Sequence, residues 1–86
     1  MLRNHGLLAA APSVADAFVA MYFFEASCMI QLRAQSAGGE LIPIPKPVLD
    51  GVQTAVNKAT RGSSPGALAW PALLRKLDRL DPSFRQ

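Results

Sequence analysis

The stretch Ser13–Ala37, SVADAFVAMYFFEASCMIQLRAQSA, decides how this chain folds. It holds neither glycine nor proline, and Gly38-Gly39 closes it. Ser13 is a helix N-cap by type, and Asp16 three residues on resembles a capping box. The segment therefore predicts one long helix over 13–37. Wound at about 100° per residue, it places Asp16, Ser27, Gln31 and Gln35 on one narrow stripe. Nearly every other direction is apolar, with Val14, Phe18, Met21, Cys28 and Leu32 on one side and Val19, Phe23, Ala26 and Ile30 on another. A helix apolar around most of its girth is covered by more than one layer. A chain of 86 residues hardly supplies those layers.

Working outward, the preceding run Met1–Ala10, MLRNHGLLAA, is apolar on both sides of a polar Arg3-Asn4-His5-Gly6 centre. It reads as a strand or hairpin over 1–11, ended by Pro12. Such an element needs partner strands, and the chain offers few. On the other side, 38–46 is a linker in which Ile42-Pro43-Ile44-Pro45 is held extended. Pro47 suits the first turn of a second helix over 47–61, with Val48, Val52, Ala55, Val56 and Ala59 as its apolar stripe. Ser63 to Gly66 reads as a turn. A third helix is expected over 67–80, with Trp70, Leu73, Leu74, Leu77 and Leu80 on one face. Pro71 belongs in its first turn, and Asp81-Pro82 stops it. The whole is one partial domain, an α/β fragment that is predominantly α.

Composition narrows the function classes. Half of the residues are hydrophobic and 17% are charged, so buried contacts beyond those of one monomer are expected. The net charge is +3, but the late cluster of Arg75, Lys76, Arg79 and Arg85 is mixed with Asp78 and Asp81. No aromatic interleaving or DNA-binding spacing accompanies it, so no nucleic-acid partner is expected. Cys28 stands alone, which excludes an intrachain disulfide, fits a reducing, cytoplasmic setting and reads as a small core hydrophobe. No signal peptide is read at the N-terminus. The run Ala17–Phe24 falls far short of the ~20 residues of a membrane span, so no membrane partner is expected.

The usual catalytic sets are absent. There is one histidine, no phosphate-cradling glycine loop before a lysine, and no close carboxylate pair within one element. His5 alone reads either as an ordinary surface or core histidine or as one ligand of a larger metal site. Glu25 lies in the apolar arc of the long helix, near Phe18, Met21, Met29 and Leu32. A buried carboxylate needs partners, so Glu25 is expected to be hydrogen-bonded and to face the Arg3–Gly6 turn. It either braces a neighbouring loop or acts as an acid/base group near His5.

The arrangement of LRNHGLLAA, a short gap and SVADAFVAMYFFEASCMIQLRA resembles the C-terminal part of the class II aldolase/adducin family. The tail GGELIPIPKPVLDGV…ALAWPALLRKLDRLDPSFRQ is similar to the C-terminus of a bacterial branch. The resemblance implies an α/β/α layered sheet, of which this chain is the C-terminal portion. It also implies a zinc-type divalent metal, a small carbonyl substrate and carbon–carbon lyase, isomerase or decarboxylase chemistry in complete members. There the histidine of Asn-His-Gly, here His5, joins an upstream His-x-His pair as a metal ligand. The pair and the upstream acid are missing from this sequence. No catalytic residue is therefore assigned, the chain alone is expected to be inactive, and no tight zinc is expected on it unless copies pool their His5 side chains. An adducin-like, non-catalytic oligomerising module is the other reading. In either case a homo-oligomer is expected, most simply a two-fold dimer with the 14–37 helices at its interface.

Overall fold

The computed structural model describes residues 1–85. Three helices follow in order: α1 over Val14–Ser36, α2 over Lys46–Thr60 and α3 over Pro65–Leu80, with a short 3-10 turn over Pro82–Arg85. The expectation of a predominantly helical chain holds.

The expected N-terminal strand does not form. Residues 1–11 contain a single antiparallel bridge between Leu2 and Gly6, closed by a tight turn, and then run on without regular structure to Pro12. The physical reason is the lack of a partner. A strand exists through hydrogen bonds to another strand, and the described residues contain none. The layered sheet implied by the resemblance is likewise not built here.

The fold rests on α1 against α3. Ser13 caps α1: its hydroxyl accepts from the Asp16 backbone N–H at 3.1 Å. The same hydroxyl donates to the Asp16 carboxylate at 2.8 Å. In an ordinary capping box the acidic side chain would turn back to the backbone N–H of the cap residue. Here Asp16 reaches across to α3 instead. Its Oδ1 accepts from the Gly66 N–H at 2.8 Å and also from the Ser64 hydroxyl. Ser64 is the N-cap residue of α3 but makes no cap bond within its own helix. The carboxylate of α1 thus caps α3, placed where both helix N-termini carry partial positive charge. These donors, Ser64 first, then Gly66 and Ser13, hold the Asp16 pKa below its ordinary 3.8, against a smaller opposing effect of desolvation.

Gly66 lies buried where the helices cross. A Cβ there would sit 2.6 Å from the Ala15 side chain and 2.7 Å from the Ala15 carbonyl oxygen. Only a bare Cα fits. This explains why α3 starts at Pro65 rather than at residue 67. Pro65 has a helical φ set in advance, and Gly66 is drawn into the first turn by the Asp16 bond. The earlier start moves Pro71 from the expected first turn to the seventh residue of the helix. There its missing N–H leaves the Ala67 carbonyl without its usual helical donor. Beyond Gly66, Phe18 meets Trp70 at a ring-centroid distance of 5.5 Å and a tilt of 60°. Asp78 and Arg85 then pair at 2.6 and 2.9 Å and fold the C-terminal turn back on α3.

Little of the apolar surface is covered. Val19 is the sole buried hydrophobic side chain among the described residues. Tyr22, Phe23, Ile30 and Leu32 of α1 stand exposed. By length and composition α1 is apolar enough to cross a membrane, as is a central helix of a globular domain. The 23-residue helix runs within the 13–37 span expected for it. α2 makes no substantial contact with α1 or α3, and its stripe of Val48, Val52 and Val56 is open to solvent.

Two substitutions test the crossing. Gly66→Ala gains about 0.5–1 kcal/mol of helix propensity but drives a methyl into backbone, which costs about 1–3 kcal/mol or more. It should lower the melting temperature. Gly51→Ala, in α2 with open space around it and no substantial packing on α1 or α3, should favour the α2 helix by about 0.5–1 kcal/mol and leave the melting temperature of the α1–α3 unit unchanged. Equal responses to the two changes would contradict the close approach.

Acid titration tests the tie. A group whose folded pKa is depressed contributes stability above its unfolded pKa, and that contribution is lost as the pH falls through the folded value. Asp16→Asn should therefore lower the melting temperature at pH 7. The gap from wild type should narrow as the pH falls below about 4. Asp78 and Asp81, also depressed, are present in both proteins and drop out of the difference. A gap independent of pH would contradict the tie.

Candidate functional site

Asn4-His5-Gly6 forms the tip of the N-terminal turn, and its residue types follow from backbone geometry. The Leu2 carbonyl accepts from the His5 and Gly6 N–H groups, both at 3.2 Å, while Leu2 N–H donates to the Gly6 carbonyl at 2.8 Å. Asn4 sits at φ 62° and Gly6 at φ 116°. A positive φ at the third residue of a four-residue turn marks type II, and asparagine tolerates it better than other side-chain-bearing residues. The Gly6 value is open to glycine alone at low strain. His5 is thus flanked by the two residue types that let the chain reverse around it.

The imidazole is fixed as well as exposed. His5 Nδ1 lies 2.9 Å from the Arg3 carbonyl oxygen. A carbonyl only accepts, so Nδ1 carries the proton and donates. In the neutral ring, Nε2 then keeps its lone pair. A backbone carbonyl that fixes the tautomer in this way is the usual support of a metal-binding histidine.

A zinc site needs about three protein ligands. No group of three His, Cys, Asp or Glu side chains comes together among the described residues. His5 is thus suited to supply one ligand, and the donors present do not make a metal site by themselves.

Glu25 departs from expectation. It is exposed, and among the described residues no hydrogen bond or ion pair joins it to the Arg3–Gly6 turn. The cause is the lack of a covering layer. Met29 and Leu32, the next residues of that arc, are exposed as well, so nothing encloses the carboxylate. Cys28 is half-buried. Asp16, which the sequence marked only as a helix cap, is the carboxylate whose partners lie on another helix. Its neighbours Ser64 and Gly66 lie some fifty residues on, at a distance no local pattern reveals.

Comparison with known proteins follows the same residues. The family model described as "Class II Aldolase and Adducin N-terminal domain" matches residues 1–32, from the His5 turn through most of α1. A Pseudomonas aeruginosa protein provisionally named an aldolase class 2 protein is 46% identical over 88 residues, spanning 100% of this chain and 34% of the relative. A Caulobacter vibrioides protein with the same provisional name is 36% identical over 85 residues, 98% of this chain and 32% of the relative. An adducin-related protein of Schizosaccharomyces pombe is 38% identical over 90 residues, 99% of this chain and 28% of the relative. No solved structure matches the chain significantly. The chain spans about a third of the length of the curated relatives it matches. With its Asn-His-Gly turn and the long apolar helix behind it, the chain belongs to the class II aldolase and adducin family, of which it covers a fragment.

Proposed function

We propose that this chain is the C-terminal part of a class II aldolase-like, divalent-metal-dependent carbon–carbon lyase or decarboxylase, and that it is inactive by itself. His5 would supply one imidazole to a zinc-type centre whose other ligands and acid/base group lie on the rest of the domain. The small carbonyl substrate would bind to that complete domain, in a cytoplasmic setting. The observation that carries this reading is the His5 ring, held by the Arg3 carbonyl at the tip of a turn with Nε2 left to coordinate. The bare girth of α1 supports it, since that surface calls for further layers of the same fold.

A second reading is a non-catalytic, oligomerising module of adducin-like type. It draws on the exposed apolar faces and on the similarity to an adducin-related protein.

A graft distinguishes the two. This chain replaces the matching segment of the Pseudomonas relative, and the purified chimera is analysed for bound metal with and without His5→Ala. Loss of a coordinating imidazole should reduce metal affinity by at least the 10–100-fold typical of disturbed metal sites. Equal metal content in both folded chimeras would contradict the first reading. Absence of metal from the relative and from both chimeras would favour the second.

A further inference from the structure

One backbone angle decides which nitrogen of His5 finds an acceptor. The turn runs Leu2-Arg3-Asn4-His5 and closes where the His5 N–H donates to the Leu2 carbonyl at 3.2 Å. Its central peptide joins Arg3 to Asn4. Type I and type II turns differ chiefly in that peptide, which is rotated by roughly half a revolution between them. The rotation carries the Arg3 carbonyl from one side of the turn to the other. With Asn4 at φ 62° the turn is of the second type, and the Arg3 oxygen lies 2.9 Å from His5 Nδ1. In the first type Asn4 would take a φ of about −90°, the oxygen would point away from the ring and Nδ1 would lose its acceptor.

Residue type controls that angle. A Cβ makes positive φ costly, glycine and asparagine accept it most readily, and β-branched residues accept it least. The Asn4 side chain makes no hydrogen bond among the described residues, so its place in the turn rests on the backbone it allows. The Arg3 carbonyl is also the hydrogen-bond partner of the ring among those residues. Turn type and ring tautomer are therefore linked through one peptide group.

We propose that Asn4 is the positioning residue of His5: its left-handed backbone aims the Arg3 carbonyl at Nδ1, which places the proton on Nδ1 and leaves the lone pair on Nε2. The use of this device, keeping Nε2 ready to coordinate, rests on the metal reading above. The link between residue 4 and the tautomer holds with no metal bound.

Nitrogen-15 NMR of the neutral imidazole tests the link on the chain itself, because a protonated and an unprotonated ring nitrogen resonate far apart. The wild type should show Nδ1 protonated and Nε2 unprotonated. Asn4→Gly should keep that pattern, and Asn4→Val should revert to the pattern of histidine in an unstructured peptide. The melting temperature should be the same in all three, since the bonds of the turn lie within residues 2–6. The wild-type tautomer in Asn4→Val, or its loss in Asn4→Gly, would overturn the proposal. In the chimera with the Pseudomonas relative, Asn4→Val should lower metal affinity about 10–100-fold, as loss of a ligand's support does, and Asn4→Gly should restore it. Affinity lost with His5→Ala yet unchanged with Asn4→Val would overturn the positioning role. Failure of the metal reading looks different: the tautomer follows residue 4 as stated, while none of the chimeras binds metal.

Discussion

The Asp16 carboxylate holds the tertiary structure together. Among the described residues, its bonds to Gly66 and Ser64 are the long-range hydrogen bonds of the chain. They join the N-termini of α1 and α3 and satisfy a backbone donor that α3's own cap residue leaves open. The approach they enforce is close enough that residue 66 has to lack a side chain. Phe18 against Trp70 then extends the contact along the two helices. Past that pair the packing ends, and most large apolar side chains remain in water.

That incompleteness has a functional side. The His5 turn precedes in sequence the end of α1 that is anchored on α3 and is held by bonds within residues 2–6 alone. Its ring is oriented by a carbonyl two residues away and needs nothing distant for that. A histidine oriented by its own turn can serve as a ligand as soon as other donors are brought to it. Membership in the class II aldolase and adducin family, with only about a third of its relatives' length present, fits a segment that carries an uncovered helix.

The helices were legible because they rest on local signals. Ser13 as a cap, the unbroken run to Ala37 and the Val48–Val52–Val56 spacing each act within one or two turns. The strand was misread because apolar residues around a polar centre describe a willingness to pair, and pairing depends on a partner elsewhere. Glu25 failed for a related reason. Its position on an apolar arc was read correctly, but burial is a property of the neighbour that covers the arc. The start of α3 was misjudged by two residues because a side chain fifty positions earlier draws Gly66 into the helix. In the candidate site, the flanking Asn4 and Gly6 pointed to a bend, while the Arg3 carbonyl that fixes the ring left no mark in the residue types.

Native-state hydrogen exchange, read amide by amide on the dilute chain, tests the central claim that α1 and α3 form the folded unit through Asp16. Buried, hydrogen-bonded amides in a cooperative unit exchange most slowly, and those of an unpacked helix exchange quickly. The Gly66 amide and those of α3 and the first half of α1 should be the most protected, α2 should exchange close to the unstructured rate, and Asp16→Asn should release Gly66 first. Protection of α2 equal to that of α3, or a Gly66 amide unaffected by Asp16→Asn, would contradict the account.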